Sequence, residues 1–254
     1  DWSLTGISCT GGTPTVANPK VTINVTSGAN IECTFTNTRK TANLTIVKNV
    51  TAAGGVTDGS FDFTSDTPLG NFNLTTVGGT KSTSTIAIPT GTYNISEVVP
   101  SGWSLGTPSC SGTTTTVSKP KVTINAAANE NIVCTFTNTR QTANLKVTKK
   151  VISAGGVSDG TFSFTSDTNL GNFNLSTNNG AASTNTVAIP TGNYEIAELV
   201  PSGWSLTDLG CEGALTVEGA SKVTIAATAG ANIECTFENK RDTANITINK
   251  TAEG

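Results

Sequence analysis

Trp2, Trp103 and Trp204 lie 101 residues apart, and the same interval separates Cys9, Cys110 and Cys211, then Cys33, Cys134 and Cys235, then Lys48, Lys149 and Lys250. A period of that length is too long for a solenoid unit and fits a small β-domain. The chain therefore divides into two complete domains at 42–139 and 143–240. The C-terminal half of a preceding repeat, 1–39, comes before them, and 244–254 is expected to be the first strand of a following one. The two ends do not complete each other, since a domain joined from 243–254 and 1–39 would lack the counterpart of 55–101. The stretch reads as a window onto a longer array joined end to end. Connections such as "TRKTANL" at 38–44 are short and carry no Gly or Pro, which favours a semi-rigid rod over freely jointed beads.

Thr, Ser, Asn, Val and Ile dominate the sequence and helix formers are scarce, the palette of an all-β protein. Within one repeat "SFDFTS" and "NFNLTT" alternate cleanly, and "STIAIP" runs into the Thr90-Gly91 turn. "YNISEVV", "GWSL", "KVTIN" and "NIVCTFTN" follow, and "VTDGS" carries an Asp-Gly turn signal. About seven strands in roughly 100 residues indicate an Ig-like β-sandwich. Only 13% of residues are charged and the net charge is −3, so there is no electrostatic case for nucleic acid or an anionic membrane. No stretch has the length and apolarity of a membrane span.

Each repeat places one cysteine after "GWSL" and a second 24 positions on, in its last strand. Even pairing within repeats points to Cys9–Cys33, Cys110–Cys134 and Cys211–Cys235 disulfides and an oxidising, extracellular setting. Reduced, buried cysteine is the competing reading. Two cysteines per domain without histidine cannot fill a zinc shell, and no other metal or cofactor is expected.

The first strand raises a sharper question. In "ANLTIVKN" Leu44 and Ile46 share one parity, and the next residue on that apolar face is Lys48; "ANLKVTKK" and "ANITINKT" repeat this with Lys149 and Lys250. In the last strand Ile132, Cys134 and Phe136 are followed at the same parity by Asn138, as Ile233, Cys235 and Phe237 are by Asn239, and Ile31, Cys33 and Phe35 by Asn37. In "YNISEVV" Tyr93, Ile95 and Val99 share a face with Glu97, and Glu198 repeats it. A strand-end lysine that snorkels to solvent, or a plain ion pair, would account for one such residue. The same three types on three apolar faces, in register in both complete domains, call for a shared chemical reason, because burying unpaired charge is costly.

"GTYNISEVVPSGW" at 91–103 and "GNYEIAELVPSGW" at 192–204 resemble the G-x-Y-x-x-x-E-x-x-P-x-G-aromatic signature of collagen-adhesin B-type domains. These CnaB-like, prealbumin-like sandwiches form the stalks of bacterial surface adhesins and pili. "GSFDF" and "GTFSF" resemble the family's second strand. Trp replaces the usual Tyr after Pro-x-Gly, and the cysteine pair is absent from many members. The resemblance implies a self-formed isopeptide bond between Lys48 and Asn138 and another between Lys149 and Asn239, assisted by Glu97 and Glu198. Asn37 and Lys250 would bond to partners outside the sequence given. Desolvation favours neutral lysine and protonated glutamic acid, and fixed geometry supplies a high effective concentration. Each domain would react once on itself, so this is maturation and not enzymatic turnover.

The implied function is a structural repeat of an extracellular fibre, pilus or adhesin stalk at the cell surface. Its partners would be neighbouring repeats of the same chain or fibre, with lateral self-association left open. The alternative is a ligand-binding adhesin module that presents Thr-rich strand faces such as "GTTTTV" at 112–117 to a sugar or a partner surface. Outward strand positions favour Thr in any β-protein, which weakens that reading. Without histidine there is no Ser-His-Asp or Cys-His arrangement. Asp58, Asp62 and Asp66 make a weak calcium signal, since position 62 corresponds to Ser163 in the next copy. Asn-x-Ser/Thr sequons at Asn43, Asn73 and Asn94 arise readily in so Asn- and Thr-rich a chain.

Overall fold

The alternation at 42–48 forms the strand Thr41–Thr51, which turns Ala42, Leu44, Ile46 and Lys48 to its buried side. The computed structural model describes residues 1–252, and among them every regular element is a strand. Contacts divide the chain into two units. One holds Asp1–Val50, Asp58–Val99 and Leu105–Asn138; the other holds Thr51–Thr57, Pro100–Ser104 and the residues from Thr139 on.

In the first complete repeat one sheet runs in the order Thr114–Ser118, Lys121–Ala126, Gly91–Val98, Ser60–Ser65, Phe72–Thr75. The second sheet orders Trp103–Leu105, Asn131–Arg140, Thr41–Thr51 and Thr80–Ser82, with Ser109–Ser111 and Ile86–Pro89 added at its flanks. Aromatic residues join the two sheets: Phe63 from one meets Phe136 from the other edge to face, at 5.1 Å between centroids. Alternation places Phe61, Phe63, Ile95, Val122, Ile124, Ile132 and Phe136 inside, a sandwich core of the size that drives folding of such domains.

The second complete repeat is built the same way. Its first sheet orders Phe173–Ser176, Thr161–Ser166, Gly192–Leu199, Lys222–Ala227 and Leu215–Glu218; the other orders Ala181–Ser183, Thr142–Ile152, Asn232–Arg241 and Trp204–Glu212, with Val187–Pro190 beside Thr142–Ile152. The first strand of the domain lies parallel to the last, with Lys149 opposite Phe237 and Val151 opposite Asn239. Phe164 packs edge to face on Phe237 and stacks on Phe173.

More strands form than the seven expected. The additional ones are short pieces at sheet margins, including Thr114–Ser118, whose residues are all exposed. A run of threonines carries no apolar alternation, so its strand arises from pairing with Lys121–Ala126 and not from a pattern of its own. Within 1–39, Trp2–Thr10 pairs with Glu32–Arg39 and Thr15–Ala17 with Lys20–Thr22. Residues 242–252 form no strand, and Ile246 and Ile248 are exposed. The expected strand over 244–254 is thus absent from its described part, and 253–254 lie outside the described residues. In the second repeat the first strand is held beside its domain's own last strand; no described strand pairs with 244–252.

Disulfides join Cys9 to Cys33, Cys110 to Cys134 and Cys211 to Cys235. Each couples residues directly opposite on neighbouring antiparallel strands. No helix of the described residues is long and apolar enough to cross a membrane.

Candidate isopeptide site

Three strands converge on one buried spot in each complete repeat. Lys48 comes from Thr41–Thr51 and Asn138 from Asn131–Arg140, neighbours in one sheet; Glu97 comes from Gly91–Val98 in the facing sheet. The period-2 alternation that buries Leu44, Ile95 and Phe136 carries these polar side chains inward with them. Lys48, Asn138, Lys149 and Asn239 are all 0% exposed, and Glu97 and Glu198 are buried.

In the second repeat Lys149 Nζ donates to Asn239 Oδ1 at 2.7 Å and to the Phe237 carbonyl at 3.0 Å. It stands 3.3 Å from Glu198 Oε2. Asn239 Nδ2 donates to Glu198 Oε1 through a short hydrogen bond. In the first repeat Lys48 Nζ lies 3.3 Å from Glu97 Oε2 and donates to the Asn49 and Phe136 carbonyls, both at 3.3 Å. Asn138 Nδ2 donates to Glu97 Oε1 at 2.5 Å. Asn138 Oδ1 is buried without a hydrogen-bond partner, and Glu97 Oε2 and Glu198 Oε2 face only the lysine nitrogens at 3.3 Å, outside hydrogen-bond geometry, which is costly in a dry core.

Burial pushes the Lys48 ammonium below its ordinary range and Lys149 down to about 8, against the opposing pull of Glu97 and Glu198. The same desolvation raises both glutamic acids, with the facing lysines opposing it. Dehydration thus drives each pair from ammonium and carboxylate toward amine and carboxylic acid. An aromatic face closes the site: Lys48 Nζ is 4.1 Å from the Phe61 centroid, and Lys149 Nζ 4.5 Å from that of Phe162. The sequence reading missed these rings, because a phenylalanine on the apolar parity looks like any other core residue.

A family of prealbumin-like fold domains matches residues 1–39, 44–140 and 145–241. The chain belongs to this family. Among solved structures, the major pilin from Streptococcus pyogenes is similar at 16% identity over 80% of this chain and 99% of that one, with a TM-score of 0.48. The pilus adhesin SpaC from Lactobacillus rhamnosus GG is similar at 14% identity, over 85% of this chain and 33% of that one, with a TM-score of 0.42. The Bacillus anthracis TIE protein is similar at 17% identity, over 84% and 38% of the two chains, with a TM-score of 0.39. Comparison with curated proteins finds no match.

Of the residues singled out in the sequence, the structure brings together Lys48, Glu97 and Asn138, and separately Lys149, Glu198 and Asn239. It does not place Asn37 or Lys250 in such a cluster: both are exposed, Asn37 opposite Leu4 and Lys250 outside any strand. Among the described residues no group of His, Cys, Asp and Glu has the makings of a metal site. Asp58 accepts from the Gly79 amide, Asp62 from Asn73, and Asp66 from the Asn94 amide and side chain, so all three candidate calcium ligands serve local structure.

Proposed function

We propose that this chain is a load-bearing stretch of an extracellular fibre, pilus or adhesin stalk, with each complete domain locked by a self-formed lysine–asparagine amide. The observation that carries the reading is the buried triad, repeated at a 101-residue offset, in which Lys149 Nζ touches the Asn239 carboxamide and Glu198 touches its nitrogen. The neutral amine attacks Cγ, and an Nζ–Cγ bond forms. The Cγ–Nδ2 bond then breaks, and nitrogen leaves as ammonia. One amine proton passes through the glutamic acid to that leaving nitrogen, so the acid is regenerated and atoms balance. No oxidant or second substrate is needed.

The bond joins the strand by which tension enters a domain to the strand by which it leaves. Force applied along the chain would then bypass the sandwich. The disulfides support an oxidising setting outside the cell. The Thr-rich surface does not support a repeated binding face, since exposed Thr114 and Thr116 correspond to Leu215 and Val217 in the next repeat.

Single-molecule stretching of the full chain tests this. The intact protein should show no length release from 48–138 or 149–239. A Glu97→Ala, Glu198→Ala chain should release, per domain, the 90-residue span from 48 to 138 less the 24 residues held by the disulfide. At about 3.4 Å per extended residue this is roughly 220 Å. Equal release from both proteins would refute the load-bearing lock.

A further inference from the structure

A column of side chains runs from the end of the second repeat to its reactive lysine. The Arg241 guanidinium lies over the Trp204 ring, 5.4 Å from its centroid, and Nη1 is held at 3.0 Å by the Gly203 carbonyl. Trp204 meets Phe162 edge to face at 5.1 Å and 75°. Phe162, fully buried, turns a face to Lys149 Nζ. The backbone makes room for this contact at Gly160, where a Cβ would lie 3.0 Å from the Trp204 ring and 3.2 Å from that of Phe162. Trp204 and Arg241 are half-buried, whereas Phe162 and Lys149 are fully buried, so the column passes from solvent to the core through the tryptophan ring. The first repeat carries the same residue types at the same offsets, with Arg140 over Trp103 at 5.6 Å and Lys48 over Phe61.

We infer that Trp204 is a positioning residue for amide formation: it clamps the Phe162 ring over the amine and keeps water off the lysine–glutamic acid pair. The inference rests on the isopeptide reading above. Its physical basis is a tautomeric balance. Amine with carboxylic acid is the reactive form, and ammonium with carboxylate is the inert one. Both carry the same number of protons, so bulk pH does not choose between them; hydration does, because water stabilises separated charge. The charged groups acting on Lys149 are Glu198 from Gly192–Leu199 and Glu238 from Asn232–Arg241. Thr161–Ser166 presents Phe162, and Ala181–Ser183 presents Ala182 opposite Lys149.

The test follows ammonia loss by intact mass, and its site by peptide mapping, in freshly synthesised full-length chain over a range of pH. Trp204→Ala should slow closure of 149–239 about tenfold or more at neutral pH, since each pKa unit regained by a rehydrated lysine costs a factor of ten in amine. The pH–rate bell should become lower and also broader, as the lysine pKa rises and the glutamic acid pKa falls. Trp204→Phe should restore most of the rate. The 48–138 amide in the same molecule is the internal control and should close at its usual rate. A lower bell of unchanged width, or Trp204→Ala closing as fast as the unaltered chain, would overturn the inference. If Trp204→Ala does not fold, Trp204→Leu decides: it keeps apolar bulk without a ring, and full-speed closure there also refutes the clamp. Absence of ammonia loss in the unaltered chain would defeat the isopeptide reading itself, a distinct outcome.

Discussion

At the scale of single residues, the proposed amide accounts for the lysine on an apolar face through the loss of its charge, and burial already lowers its pKa. Three polar residues at core parity were legible in the sequence because two full repeats show the same violation, and a violation repeated in register is a pattern. The aromatic lid was not legible. Phe61 and Phe162 obey the alternation, and nothing in a period-2 pattern distinguishes a ring that packs from a ring that seals an amine. Glu97→Ala should abolish the 48–138 amide and leave 149–239 closed, as read by mapping each linkage. The unreacted variant should also be less stable by roughly 3–5 kcal/mol, because Lys48 is left buried without its partner. Its stability should depend on pH with a defined sign. Lys48 in the fold lies below its unfolded value of 10.5, so between those two pKa values the unfolded chain binds more protons. Stability should therefore climb as pH rises through that window, measured by denaturant midpoints. A midpoint that falls with pH there would contradict the assignment.

At the scale of elements, the long strands follow from alternation, and the turns follow from backbone chemistry. Each cysteine strand ends in Cys-x-Gly, and at Gly112 φ is +79° with a hypothetical Cβ only 1.9 Å from the Asn131 carbonyl oxygen. Only glycine fits both demands. Gly112→Ala should cost about 1–3 kcal/mol by the backbone strain alone, with further loss as Asn131 is displaced; an unchanged thermal midpoint would show the turn to be slack. Beside it, the Cys110–Cys134 link closes a 24-residue separation. Replacing both cysteines by alanine should cost about 3 kcal/mol in chemical denaturation. That loss should shrink in chains already closed at 48–138, because the amide loop already encloses the disulfide and limits the unfolded state. Strands such as Thr114–Ser118 escaped the sequence reading for the converse reason: they sit at sheet margins where pairing, not burial, decides the conformation.

At the scale of the whole chain, the repeat period carries the architecture. Lys48, Glu97 and Asn138 recur 101 residues on as Lys149, Glu198 and Asn239, and the family match covers 1–39, 44–140 and 145–241. On the proposed reading each complete sandwich carries a pair of cross-links that differ in role. The disulfide joins two adjacent strands through cysteines 24 residues apart, while the proposed amide would span 90 residues and enclose it. The amide is thus the bond on which the stalk reading depends. Mass spectrometry of the folded full-length chain, with peptide mapping after digestion without reduction, tests it most directly. The chain should weigh two ammonia molecules less than its disulfide-bonded sequence, and branched peptides should join Lys48 to Asn138 and Lys149 to Asn239. A chain at the full sequence mass, with Lys48 and Lys149 recovered as free amines, would contradict the account.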